Sequence, residues 1–189
     1  MSGPNPFLVT VVALRRQLGN IRREQRRGPL PLLHVSGSSV PAGAEVEVDA
    51  VLESVHGGIV VTADVEAPWA GECRRCLRPV VGEVHSHVRE LYEEDSDGEE
   101  TYPLRGDQLD LAPLARDAVL LELPQAPLCE EDCLGLCPVC GANRNEGDCG
   151  HAVQVMDPRW AALDALRTDE SERFDDGRSQ EEDLQGQEP

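Results

Sequence analysis

The sequence contains no lysine; all 17 of its basic residues are arginine. Aromatic residues are scarce, at 3%, so any core must rest on Val, Leu and Ala rather than on stacked rings. No run of about 18 apolar residues occurs, which excludes a membrane-spanning helix of ordinary length. The apolar stretch near the N-terminus has its arginines after it, whereas a secretory signal carries them before. The expected location is therefore the cytoplasm, where thiols stay reduced. A Gly-rich phosphate-binding loop and a nucleophile elbow are also missing. Nothing points to a kinase, dehydrogenase or hydrolase, and no catalytic residue or small-molecule substrate is indicated.

Charge is plentiful but one-sided. The 36 acidic residues outnumber the arginines and leave a net charge of −19, which argues against a protein that coats nucleic acid along its whole surface. The arginines are nevertheless clustered. Residues 15–27 hold Arg15, Arg16, Arg22, Arg23, Arg26 and Arg27 against a single acid, Glu24. The far end is the opposite, with nine acids in residues 169–189 against Arg173 and Arg178.

Three segments follow from composition. Residues 1–28 read as an Arg-rich segment, expected to be helical, opened by Asn5-Pro6 and ended by Gly28-Pro29-Leu30-Pro31. Residues 29–167 read as an α+β domain built on an antiparallel sheet with short helices. Residues 168–189 have almost no apolar content and are expected to be a disordered acidic tail.

Within the domain, residues 44–55 alternate with period two: Val46, Val48 and Ala50 on one face, Glu45, Glu47 and Asp49 on the other. That is a half-buried strand. His56-Gly57-Gly58 is a hairpin turn leading to a partner strand at 59–65, and 80–92 reads as a third strand with Val84, Ser86 and Val88 on one face. Residues 93–100 form an acidic, solvated connector. Residues 102–109 suggest one more strand. Asp110 then caps a helix whose apolar stripe is Leu111, Leu114, Ala115 and Ala118, ended by Pro124 and Pro127. Asp157-Pro158 opens a last helix over 159–167.

What the sequence does have is cysteine, seven residues in two clusters. Cys73-Arg-Arg-Cys76 lies between the second and third strands. The other cluster holds Cys129, Cys133, Cys137, Cys140 and Cys149, followed by His151. In a reducing compartment such C-x-x-C pairs point to metal or redox chemistry rather than to disulfides. Zinc takes four ligands in a tetrahedron, and a C-x-x-C turn supplies two of them. Seven cysteines and His151 make two such sets. The preferred partition joins Cys73 and Cys76 to Cys129 and Cys133, and joins Cys137 and Cys140 to Cys149 and His151. A rival partition makes one site of Cys129, Cys133, Cys137 and Cys140 and leaves Cys73 and Cys76 as a free dithiol. Closed four-ligand sites are structural, because a catalytic zinc keeps a position open for water. His85 and His87 share a strand face and could bind metal. Without an acidic third ligand at matched spacing they read as exposed polar residues, like His34 and His56.

The cysteine frames and their flanks (CRRCLRPV, LLELPQAPLC, GLCPVCGANRNEGDCGH and DPRWAALDAL) resemble the YceD family, the large ribosomal RNA subunit accumulation proteins. The resemblance runs over about residues 7–167. It implies a non-enzymatic role in supporting accumulation of large-subunit (23S) ribosomal RNA, with a large-subunit precursor, its rRNA or a ribosomal protein as partner. Arg15, Arg16, Arg22, Arg23, Arg26, Arg27 and the knuckle residues Arg74, Arg75 and Arg78 are the candidate contacts, because a guanidinium meets phosphate through two parallel hydrogen bonds. The competing reading of these arginines is that they neutralise the protein's own acids. Two other functions fit less of the sequence: a thiol redox or redox-sensing zinc protein, and a zinc-ribbon nucleic-acid-binding regulator.

Overall fold

The computed structural model describes residues 5–151 except 97 and 99. The expected helix at 159–167 and the acidic tail at 168–189 lie outside the described residues. The chain divides into two compact units, one of Met1–Leu136 with Asn143–Glu146 and one of Cys137–Ala142 with Gly147–Pro189.

The first unit is mostly β-sheet. Among the described residues its strands are β1 (Leu8–Thr10), β2 (Ile21–Pro29), β3 (Ser38–Ser39), β4 (Glu45–Val55), β5 (Gly58–Glu72), β6 (Pro79–Glu93), β7 (Tyr102–Pro103) and β8 (Gln108–Asp110), with one α-helix, α1 (Ala112–Glu122). The main sheet runs β2-β4-β5-β6-β7, and β3 pairs with β5 beyond the end of β4. All of these pairings are antiparallel except β6 with β7, which is parallel. β1 and β8 form a separate two-stranded ladder.

The alternation at 44–55 produces the expected result. Val46, Val48, Ala50 and Leu52 are buried, as are Ile59, Val61, Ala63 and Val65 from β5. The hairpin between them is a two-residue turn, since Val55 pairs with Gly58, and Gly57, its second residue, takes the positive φ (+89°) of a type II turn. β5 is longer than the sequence suggested and runs through Pro68 to Glu72. A proline is tolerated there because β4 stops opposite Glu66 and β3 starts opposite Ala70, so no neighbour asks for the missing N–H on that side.

α1 packs its buried Leu114, Ala115, Ala118 and Val119 against the sheet. Asp110 stands just before it, and its carboxylate accepts a hydrogen bond from the Ala112 N–H (2.9 Å). The strand expected over 102–109 is instead two short strands, β7 and β8, separated by a turn in which Gly106 has φ +59°. Tyr92 and Tyr102 stack across the end of the sheet, with ring centroids 5.1 Å apart.

The N-terminal expectation was wrong in kind. Residues 1–28 form no α-helix where described: Leu14–Arg16 is a single 3-10 turn, and the arginine-rich stretch is strand β2. The reason is pairing with β4. β2 lies along the acidic face of that strand, so Arg27 meets Glu45 (2.7 Å) and Glu47 (2.8 Å). On the opposite face of β2, Arg22 and Arg26 (2.7 Å) both grip the buried Glu24 carboxylate. The backbone ladder to β4, with the Arg27 ion pairs across it and the Glu24 ion pairs within β2, outweighs helix propensity.

Candidate metal centres

β5 and β6 are joined by the first cysteine turn. The Cys73 N–H donates to the Arg78 carbonyl (2.8 Å), closing the strand ends, and the Leu77 N–H donates back to the Cys73 carbonyl (2.8 Å). This places Leu77 at φ +61°, the only non-glycine residue with positive φ among those described. The second turn, Cys137-Pro-Val-Cys140, closes the same way: the Gly141 N–H donates to the Cys137 carbonyl (2.8 Å), with Gly141 at φ +74°. The two knuckles thus share one geometry, with leucine in the strained position of the first and glycine in that of the second.

The ligand atoms gather into two sets. Cys73, Cys76, Cys129 and Cys133 form one; Cys137, Cys140, Cys149 and His151 form the other, and within each set the ligand atoms lie within 4.8 Å of one another. The rival partition, with Cys129, Cys133, Cys137 and Cys140 in one site, is not the one assembled.

In the first set the Cys73 and Cys133 sulfurs are 3.8 Å apart and the Cys76 and Cys129 sulfurs 3.5 Å. Neither is a disulfide distance. Four thiolates held about 2.3 Å from one central ion would be separated by about 3.8 Å, so the set fits a tetrahedral metal. α1 and the prolines after it deliver Cys129: the Arg74 N–H donates to the Pro127 carbonyl (2.8 Å), fastening the β5–β6 turn to the segment that follows the helix.

The surroundings favour thiolate. Burial opposes ionisation of Cys73, yet the backbone amides of Cys129, Cys76 and Arg75 point at its sulfur and bring the thiol down to about 6. The Arg78 backbone amide lowers Cys76 against the opposing effect of burial, and the Arg78 guanidinium adds to it. Cys129, facing the other sulfurs, is pushed up to about 12, first by desolvation and then by Cys76. A site that spreads charge so unevenly over four crowded sulfurs needs a cation to hold them all ionised. In the second set the amides of Cys140 and Val139 lower Cys137 to about 6. Cys149 is raised: the His151 amide, the largest single influence, lowers it, but the Cys137 thiol, burial and the Cys140 thiol together outweigh it.

Two side chains support the first set from outside. Arg78 donates to the Cys129 sulfur (3.2 Å) while pairing with Glu130 (2.7 Å). Asn145 donates to the Cys133 sulfur (3.3 Å) and accepts from the Leu134 N–H (2.7 Å). Asn145 was not singled out from sequence. Its only signal there is the Asn/Gly-rich run after the second knuckle. An open cleft of about 760 Å³ lies beside the first knuckle, with Cys73, Arg74 and Leu77 on one wall and His34, Ser39 and Pro127 among the others.

The nine candidate arginines are not one basic surface. Arg15 is bound by Glu94 (2.6 Å) and Asp107 (3.6 Å). Arg22, Arg26, Arg27 and Arg78 are in the ion pairs described above. Arg75 is a clasp: its guanidinium donates to the carbonyls of Glu131 (3.2 Å) and Cys133 (3.0 Å). Among the described residues only Arg16, Arg23 and Arg74 of the nine have no hydrogen bond or ion pair from the guanidinium. His85 and His87 are exposed and face acids across the β5–β6 ladder, Glu66 (3.3 Å) and Asp64 (2.7 Å). These four do not gather into a metal-sized group.

The family model for the large ribosomal RNA subunit accumulation protein YceD matches residues 61–167, more than half of the chain and all eight candidate ligands. This chain belongs to the YceD family. Among its curated relatives, an uncharacterized protein of Mycobacterium tuberculosis is 39% identical over 141 residues, covering 71% of this chain and 68% of that protein. An uncharacterized protein of Mycobacterium leprae is 33% identical over 171 residues, covering 84% and 76%. No solved structure matches the chain. For this YceD member, no helix among the described residues is long and apolar enough to cross a membrane.

Proposed function

We propose that the protein is a non-enzymatic, cytoplasmic factor that supports accumulation of large-subunit ribosomal RNA, with its fold clamped by two structural zinc ions. The observation that carries the functional reading is the family match over residues 61–167, which spans both cysteine sets. The donor sets support the zinc. Each offers four protein ligands, all thiols in the first and three thiols with one imidazole in the second, leaving no position for a reacting water. Zinc would be held by Cys73, Cys76, Cys129 and Cys133, and by Cys137, Cys140, Cys149 and His151, and would supply a redox-inert cross-link.

The partner is a large-subunit precursor, met through its RNA or through a ribosomal protein. Of the nine candidate arginines, most are committed to internal acids and carbonyls, and only Arg16, Arg23 and Arg74 have no such partner among the described residues. A protein surface is therefore the better-supported target than a long stretch of RNA backbone. The test is depletion of the protein in its own cell. The ratio of large- to small-subunit rRNA should fall, and the tagged protein should sediment with large-subunit precursors. Complementation by wild type but not by Cys73→Ser supports the reading; an unchanged rRNA ratio on depletion refutes it.

A further inference from the structure

Among the described residues, β6 has a neighbour on its outer edge only at its last two residues, Tyr92 and Glu93, which pair with β7. From Pro79 to Leu91 the described residues leave that edge unpaired. A long open edge is a template for another strand, and proteins usually blunt it or use it. The sequence of this edge says what fits. Around Ser86 it is self-complementary: His85 mirrors His87, Val84 mirrors Val88, and Glu83 mirrors Arg89.

We propose that β6 pairs antiparallel with β6 of a second copy of this chain, about a two-fold axis through Ser86. The backbone permits this register. The Glu93 carbonyl faces outward, accepting from the Leu104 N–H (2.8 Å), so by alternation along the strand the N–H and C=O groups of Glu83, His85, His87 and Arg89 also face outward. Ser86 then meets its own copy as a non-hydrogen-bonded pair, the closer of the two antiparallel spacings, where a small side chain suits. His85 and the second copy's His87 exchange the ladder bonds, as do Glu83 and Arg89 of the other chain.

The side chains agree on both faces. On the inner face, buried Val84 meets half-buried Val88 and extends the apolar surface across the axis. On the outer face, Glu83 meets Arg89 twice, once on each side of the axis. Within one chain these two have no ion pair: Glu83 stands opposite Pro68 and Arg89 opposite Thr62. Gly82 ends the paired stretch, where β7 takes over the edge of the other copy.

The experiment is sedimentation velocity on the full-length, metal-replete chain, in reducing buffer, across a wide concentration series. Wild type should pass from monomer to dimer. Glu83→Arg and Arg89→Glu each turn two attractive cross-strand pairs into two repulsive ones and should weaken the dimer about tenfold or more. The double variant Glu83→Arg/Arg89→Glu restores opposite charges only between chains and should recover dimerisation. Circular dichroism and metal content confirm that each variant is folded. A wild type that stays monomeric at all concentrations overturns the proposal. So does a dimer indifferent to the single reversals, or one that the double variant fails to restore.

Discussion

Replacing Cys73 by serine removes one corner of the first cysteine set. That set ties the β5–β6 turn to the segment after α1, and Cys73 and Cys133 are 60 residues apart in sequence. A cross-link closing a loop of that size withholds about 4 kcal/mol of chain entropy from the unfolded state. A domain of this kind is stable by only about 5–15 kcal/mol, so the cross-link is a large share of the total. At about 2–4 °C per kcal/mol, losing it should lower the melting temperature by about 10 °C. Native mass spectrometry should count two zinc ions on wild type and one on Cys73→Ser, with calorimetry following the melting temperature. Cys140→Ser should also remove one ion but lower the melting temperature less, because its set closes only a short local loop. Two ions on Cys73→Ser, one on both proteins, or an unchanged melting temperature would refute the shared-ion reasoning.

Arg78→Ala deletes the donor to the Cys129 sulfur and should weaken zinc retention about 10–100-fold, measured by competition with a chromogenic chelator. Gly71→Ala puts a methyl group into the Gly37 carbonyl. It should force β3 off β5 at about 1–3 kcal/mol, visible as a lower melting temperature with the zinc count unchanged. Acid should release the metal. Cys73 and Cys137 are held at about 6, below the ordinary thiol value of about 8.5. A depressed value means their ionised forms contribute fully above the ordinary value and cease to as pH falls through about 6. Protons and zinc compete for these sulfurs, so the zinc affinity read by the same chelator should fall progressively as pH drops below about 6; an affinity independent of pH in that range would contradict the assignment.

The sheet was legible where one face is buried. Alternation along 44–55 named the buried residues of β4 correctly, and Gly57 marked the hairpin, because both signals are local. Periodicity at Leu111, Leu114, Ala115 and Ala118 placed α1 for the same reason. β2 was misread because Arg22, Arg23, Arg26 and Arg27 carry no apolar period. What makes them a strand is the backbone ladder to β4, a separate stretch of the chain, which also sets Arg27 beside Glu45 and Glu47. His85 and His87 illustrate the same limit: the acids beside them come from β5, and no spacing within β6 could reveal them.

The sequence by itself determined that paired thiols would dominate this protein, that the central hairpin, β6 and α1 would form, and that its eight candidate ligands would count into two fours. C-x-x-C turns and apolar periods are short-range, so they survive without knowledge of the rest of the chain. Only the tertiary structure decided which sulfurs share a site, that Arg75 and Arg78 serve the cysteines, and that most of the basic cluster is spent on internal acids. Those outcomes depend on strand register and on the path from α1 back to the β5–β6 turn. Both are set by contacts between residues far apart in sequence, which no local pattern records.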